Sequence, residues 1–370
     1  MRPSWGLAAA LSLALSTCLV RPGLAAASPA RTPGVPTPGY GSELSAVGCG
    51  SAGQCWAVGN YVTKTQAPQN EILRWTGHAW QLATVPLPRG QSGLSAISCP
   101  AAVTCLAGGS TANARGKAAR AEVLRWGGTR WLVASAPAGV ASLDALACTA
   151  PDNCWALDSN DSQFIHWNGQ SWAKPVPFSY FDAPNAITCQ SATDCWAAGF
   201  YVKPNGLNLY NLVMHWNGQA WSPVRVPQPP GGANQLHAVT CVSQSDCWAA
   251  GSDEAGTSPR IRNEALHWNG TRWSVVPTPK GPLVNSELLG IECATRSRCW
   301  AVGDDEGGTQ ALHWNGQHWS LVPAPDPGGA GFLFDVACLG HTDCLAVGFS
   351  HIPPTQNLAV HWNGRKWKAT

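Results

Sequence analysis

Leu236-His-Ala-Val-Thr-Cys-Val-Ser-Gln-Ser-Asp-Cys-Trp-Ala-Ala-Gly251, followed after a variable stretch by Ala265-Leu-His-Trp-Asn-Gly-Thr-Arg-Trp-Ser-Val-Val-Pro277, is the passage that decides the fold. It holds four short apolar runs separated by turn chemistry, the pattern of a four-stranded antiparallel unit. The Asn269-Gly270 pair supplies residues that tolerate positive φ, which a tight hairpin needs.

The same grammar recurs along the chain. Cysteines with C-x5-C spacing occur at Cys49/Cys55, Cys99/Cys105, Cys148/Cys154, Cys189/Cys195, Cys241/Cys247, Cys293/Cys299 and Cys338/Cys344. The Asn-Gly turn returns at Asn168, Asn217, Asn315 and Asn363, with Thr76-Gly77 and Gly127-Gly128 in the first two units. A fixed period of this size signals a propeller or a solenoid. The runs are apolar on both sides of the strand alternation, with Cys241 and Val239 assigned to one face and Leu236 and Ala238 to the other. Such strands must be covered twice. An open array also needs polar capping repeats, and neither end supplies one. The expected fold is all-β, a seven-bladed β-propeller over 42–370, with blades starting near 44, 94, 143, 184, 236, 288 and 333. Val35-Pro-Thr-Pro38 copies the inter-blade connector Val276-Pro-Thr-Pro279. The Pro-rich segment 28–41 is therefore expected to lie where the chain would continue from blade 7.

Residues 1–27 read as an export signal: Arg2, an apolar stretch from Leu7 to Val20, then Ala25-Ala26-Ala27. This implies a secreted protein, and the Ala- and Pro-rich leader has the composition of a high-GC bacterium. The alternative is lipid anchoring at the cell surface through Cys18, after Leu15-Ser16-Thr17. No other segment suits a membrane span. With Cys18 set aside, fourteen cysteines remain as seven pairs. Two cysteines flanking a five-residue hairpin loop lie within disulfide reach, whereas zinc needs four converging ligands. One disulfide per blade is expected, between facing cysteines on adjacent strands, with the hairpins on the rim that also carries the Asn-Gly turns, and no metal or cofactor.

The net charge of +2 and the singly scattered Lys and Arg give no basic stripe, so nucleic acid is not an expected partner. His166, His215, His267, His313 and His361 precede the third-strand tryptophan, with Arg74 and Arg125 in their place in blades 1 and 2. Equivalent positions lie far apart around a ring, so they are read as structural donors. Trp56, Trp155, Trp196, Trp248 and Trp300 are assigned to the gaps between blades. The hairpin tryptophans Trp80, Trp131, Trp172, Trp221, Trp273, Trp319 and Trp367 are read as architecture first, with stacking on a sugar ring as the alternative.

The Cys-Trp-Ala-Val-Gly strand, and a glycine three residues before tryptophan as in Gly218/Trp221, Gly270/Trp273 and Gly316/Trp319, resemble the repeat of the photosystem II assembly-factor and BNR (Asp-box) propellers. The aspartate of that motif is missing, and an asparagine stands one place nearer to tryptophan. His-Trp-Asn-Gly-x-x-Trp-Ser is also similar to the hairpins of bacterial seven-bladed fucose-binding lectins. Sialidases of the BNR group use clustered arginines, a tyrosine nucleophile and acidic partners. Tyr40, Tyr61, Tyr180, Tyr201 and Tyr210 show no such arrangement. Asp304-Asp305-Glu306 is read as a solvated loop tip. No catalytic residue is assigned. The expected function is a monomeric, non-catalytic binding or scaffold propeller whose partner is a protein or a carbohydrate, with a polysaccharide hydrolase or lyase as the further alternative. Tyr61, Lys64, Tyr201, Lys203 and Tyr210, on variable loops of the rim opposite the disulfides, are the candidate ligand residues.

Overall fold

The structure, a computed structural model, describes residues 35–370 apart from 52–53, 102–103, 180, 205, 207, 231, 255–259, 282–284, 328 and 352. The export segment and Cys18 lie outside the described residues, as does Tyr180. Among the described residues there is no helix. The chain is a seven-bladed β-propeller, each blade a four-stranded antiparallel sheet built from consecutive strands. No helix among the described residues is long and apolar enough to cross a membrane.

The first strand of each blade lies innermost. These strands run Ser42–Ser51, Gln91–Ala101, Ala145–Ala150, Asp182–Ser191, Gln235–Ser243, Ser286–Thr295 and Gly331–Gly340. They neighbour one another around the ring, the last lying beside the first. There the Val47 N–H donates to Asp335 Oδ2 at 2.9 Å. The Pro-rich segment takes part in this closure. Asn357 Nδ2 donates to the Pro36 carbonyl at 2.8 Å and to Glu71 Oε1 at 2.6 Å. Asn211 does the same to Pro227 and Glu264. Pro36 thus stands to blade 7 as the inter-blade connector stands to blade 4.

A β-bulge corrects the strict alternation expected of the first strand. Leu236 faces Gly251 and Ala238 faces Ala250, which leaves His237 as the extra residue. Leu236, Val239 and Cys241 consequently share the face packed towards blade 4, and Ala238 packs towards blade 6. The irregularity recurs at Leu44/Ala46, Leu94/Ala96, Pro184/Ala186, Leu288/Gly290 and Leu333/Asp335. A bulge bends the strand and re-aims one side chain, and here it does so at the axis in one blade after another.

Tryptophans fill the gaps between blades. Trp248 of blade 5, 1% exposed, meets Trp314 at 4.8 Å and Trp319 edge-on at 5.3 Å, both in blade 6. Trp56, Trp155, Trp196 and Trp300 each meet the equivalent pair of the next blade. Leu106 and Leu345 replace the first tryptophan in blades 2 and 7 and pack on Trp167/Trp172 and Trp75/Trp80. Edge-on and tilted ring pairs add about 0.5–1.5 kcal/mol each beyond the area they bury. The hairpin tryptophans belong to these clusters: Trp80, Trp131, Trp273, Trp319 and Trp367 are buried, and Trp172 and Trp221 half-buried. Five of the seven therefore offer no open face to a sugar.

The hairpins of the disulfide rim are tied down uniformly. All seven cysteine pairs are bonded, with Cα atoms 4.0–4.1 Å apart. The bridges themselves lie deeper than the hairpin loops they close. The second cysteine of every pair, Cys55, Cys105, Cys154, Cys195, Cys247, Cys299 and Cys344, is only 0–1% exposed. Each belongs to one of the seven apolar clusters between blades. The second strand is the reason, because its side chains are covered on both faces by neighbouring blades. The loop between the cysteines reaches the rim, whereas these sulfurs are core atoms and offer no contact to a ligand.

The third-strand indoles of Trp167, Trp216, Trp268 and Trp314 donate to carbonyls of the disulfide hairpins, at Pro151, Ala192, Gln244 and Arg296. Asn269 Oδ1 accepts the Thr271 and Arg272 N–H groups at 3.0 Å, and Gly270 takes φ +90°. A Cβ on Gly270 would lie 2.9 Å from that of Ser245, so the two hairpins approach too closely for any other residue.

Candidate functional site

Four of the five repeated histidines bond within their own blades. His215, His267 and His361 bond through Nε2 to Asp194, Asp246 and Asp343 at 2.7–2.9 Å, and His166 bonds to Asn153 at 2.6 Å. Each ring also lies against a tryptophan. The partner is the residue just before the second cysteine, two places along the second strand from the residue that pairs with the histidine. In blade 6 that residue is Arg298, whose charge, after burial, holds the His313 imidazolium form down.

A second set of pairs links blades and was not read from the sequence. Asn70 Nδ2 donates to Glu122, Asn211 to Glu264, Asn263 to Gln310 and Asn357 to Glu71, at 2.6–2.8 Å. All eight side chains are buried. Burial pushes the Glu71 and Glu264 carboxyls up to about 8 and raises Glu122, while the asparagine bonds pull the other way. The signal lay in residue pairing between repeats. Wherever the next blade carries Glu or Gln, the preceding one carries Asn. Where it carries Phe164, Leu212 or Leu358, the preceding residue is Ala121, Gln163 or Thr309.

Beyond these inter-blade pairs, the titratable groups that do not repeat lie along the innermost strands around the axis. The seven innermost strands carry five acids (Glu43, Asp182, Glu287, Glu292 and Asp335) and no Lys or Arg, in a chain with 23 of those cations. Glu287 Oε2 lies 3.6 Å from His237 Nε2 of the neighbouring blade. Glu287 also meets Asp304, directly opposite it on the second strand, carboxyl to carboxyl. Burial first, and the Glu287 and Asp305 charges after it, push Asp304 up to about 7. Deeper along the strands, Glu292 accepts from Thr240 Oγ1 at 3.0 Å, and Asp335 accepts the Val47 and Val336 N–H groups. Burial raises both to about 7. Blade 7 carries an aromatic cluster on its first two strands. Phe332 and Phe349 stack at 5.3 Å, Phe334 lies 5.3 Å from Phe349, and His351 meets Phe349 edge-on at 4.8 Å.

Asp304 and Asp305 correct the reading of a solvated tip. They end the second strand of blade 6, paired with Glu287 and Ser286, and are 9% and 6% exposed. Among the described residues, no group of three His, Cys, Asp or Glu side chains is arranged to hold a metal ion.

The five candidate rim residues fall into two separate places. Tyr61 and Lys64 belong to blade 1, with Tyr61 half-buried and Lys64 exposed. Tyr201, Lys203 and Tyr210 belong to blade 4. Tyr201 and Tyr210 stack at 5.2 Å and Lys203 Nζ lies 4.2 Å over the Tyr210 ring. Strands also extend well into the variable stretches, to Val62 and Val202, so much of that variation sits on paired backbone rather than on loop tips.

No family model matches the chain, and no curated protein matches it. Solved structures do. The solved structures it is similar to include β-propellers of different kinds. YCF48 from Cyanidioschyzon merolae is 12% identical with a TM-score of 0.55, over 89% of this chain and 98% of that one. The BP39L lectin from Burkholderia pseudomallei is 13% identical with a TM-score of 0.58, over 89% and 98%. The β-propeller domain of the Trilobed protease from Pyrococcus furiosus is 9% identical with a TM-score of 0.56, over 90% and 96%. At these identities the likeness is one of fold.

Proposed function

We propose that the protein is an exported, non-catalytic propeller that binds a partner macromolecule on the rim opposite the disulfide hairpins. One observation carries this reading. The repeated polar groups pair with one another inside and between blades, whereas at the strand ends away from the disulfides the side chains differ from blade to blade, as with Glu287 and Asp304 in blade 6 and Phe332 and Phe349 in blade 7. A rigid scaffold presenting variable side chains at one end is suited to recognition. Tyr61, Lys64, Tyr201, Lys203 and Tyr210 belong to the reading as outer contacts of the same rim. Seven intra-blade disulfides favour an oxidising, extracellular setting. Residues 1–27 are taken as the export signal of a bacterial chain, and the protein as a monomer. Kinship with the Asp-box propellers is part of the proposal: the turn asparagines cap the hairpin between the third and fourth strands, where that family carries its motif.

Carbohydrate binding is the second reading, favoured by a groove of about 730 Å³ between blades 4 and 5. Trp268, Arg225 and Arg272 line it, and the volume suits a small ligand. The test is a combined peptide and glycan array, with bound ligands eluted and weighed. Ligands recovered intact are expected. Ligands recovered cleaved, or no binding across the array, would overturn the proposal.

A further inference from the structure

Side chains that repeat around the ring make the exceptions stand out, and one exception lies in the groove between blades 4 and 5. Arg225, four residues after Trp221, and Arg272, directly before Trp273, both line it, and both are exposed. At the seams after blades 1, 2, 5 and 6 the same two positions hold at most one Lys or Arg, as in Thr84 with Arg130 and Pro323 with Lys366. No Asp or Glu lines the groove. Elsewhere Arg262 and Arg296 pair with Asp253 and Asp246, whereas among the described residues neither Arg225 nor Arg272 has an acidic partner. A cleft lined by charge of one sign draws the opposite sign into it.

The rest of the lining narrows the chemistry. The Trp268 indole N–H donates to the Gln244 carbonyl at 3.1 Å, the Gln228 amide bonds the Asn211 backbone at 2.8 Å, and the Thr271 hydroxyl donates to Asn269 Oδ1 at 2.8 Å. What the groove offers a ligand is therefore two guanidiniums and the apolar surface of the half-buried Trp268. We propose that this groove binds a carboxylated sugar, a uronate residue of an acidic polysaccharide, with its carboxylate at Arg225 and Arg272 and its ring against Trp268. This rests on the carbohydrate reading of the groove and names the class of sugar. A guanidinium presents two parallel N–H groups that fit a carboxylate, and an indole supplies flat apolar area at a ligand site. A neutral sugar would leave both cations uncompensated and find no carboxylate to accept from its hydroxyls. An acidic peptide would satisfy the arginines, yet its flexible stem would bring no ring to lie on the indole.

The experiment uses the full oxidised protein and fluorescein-labelled hexasaccharides of polygalacturonate, alginate and hyaluronan, each as the free acid and as the methyl ester, read by fluorescence anisotropy. An octapeptide alternating Glu and Gly is run alongside. At least one free acid is expected to bind, with its ester and the peptide at least tenfold weaker. Binding should weaken between 20 and 300 mM NaCl, because part of the attraction is screened. Arg225→Gln with Arg272→Gln should weaken it at least tenfold, and Arg130→Gln, at the seam between blades 1 and 2, should leave it unchanged. A thermal melt confirms that each variant is folded. Acid and ester binding alike, full affinity in the double variant, an equal loss in Arg130→Gln, or the peptide binding as tightly as the sugar overturns the inference. If the acids fail while a neutral glycan binds and is lost in the double variant, this inference falls and the carbohydrate reading of the groove stands. If no glycan binds, both fall.

Discussion

Glu264→Gln should flatten the pH dependence of stability. Glu264 is 3% exposed, accepts from Asn211 across the blade 4–5 gap, and has a carboxyl that burial pushes from 4.5 up to about 8. The groups facing it are Asn211, Asp253 and Arg262. The last two form an ion pair at 2.9 Å, so their effects on Glu264 largely oppose each other. The folded state holds the proton more tightly than the unfolded chain. Stability is therefore fullest below about pH 4.5 and declines as pH rises towards 8. The slope is about 1.4 kcal/mol per pH unit for one such group. Over the whole window that is at most about 5 kcal/mol. Gln is the informative substitution because Gln310 already fills this position in blade 6, accepting from Asn263. Urea unfolding of wild type and variant, followed by tryptophan fluorescence at pH 5, 6, 7 and 8, gives the difference directly. The gap between the two proteins should change in the variant's favour by about 1.4 kcal/mol per unit. A constant gap across the series would show that Glu264 is ionised in the fold, and the reasoning from burial would fail.

Three further outcomes follow from the same contacts. Trp248→Ala should cost about 3–5 kcal/mol, since it empties the site shared with Trp314 and Trp319, whereas a surface change such as Gln317→Ala should fall within about 0.5 kcal/mol by urea unfolding. Replacing Cys241 and Cys247 together by Ser should lower stability by at least about 2 kcal/mol, the entropy of closing so short a loop, with the buried hydroxyl at position 247 adding to it; calorimetry showing no loss would mean the loop is already ordered without the bond. Asp246→Asn should be tolerated within about 1 kcal/mol, because Asn153 makes the equivalent bond to His166 in blade 3, and chemical unfolding measures it.

Blade number, strand order and disulfide pairing were legible because each rests on local, repeated chemistry: C-x5-C, Asn-Gly and the Val-Pro-x-Pro connector. The depth of the bridges was not, since C-x5-C fixes the partner of Cys55 or Cys299 without saying what covers it. Nor was the bulge legible. Leu236-His237-Ala238 reads as ordinary alternation, and only pairing with the second strand reveals the extra residue. Asp304 and Asp305 were misread for a related reason. The sequence after them, Glu306-Gly307-Gly308, announces a turn, yet strand pairing carries on to Asp305. The Asn–Glu pairs were present as a pattern between repeats, and became visible once it was known which residues of adjacent blades touch. The acidic axis needed the fold itself, since it assembles single residues from strands far apart in sequence.

The most direct measurement is array binding by three forms side by side: wild type, a mouth variant (Glu43→Gln, Glu287→Gln), and a variant on the opposite rim (Gln317→Ala, Lys366→Ala). Recognition at the axial mouth predicts ligands that the first variant loses and the second retains. Ligands lost on changing Gln317 and Lys366 but kept by the mouth variant would place binding on the disulfide rim and contradict it.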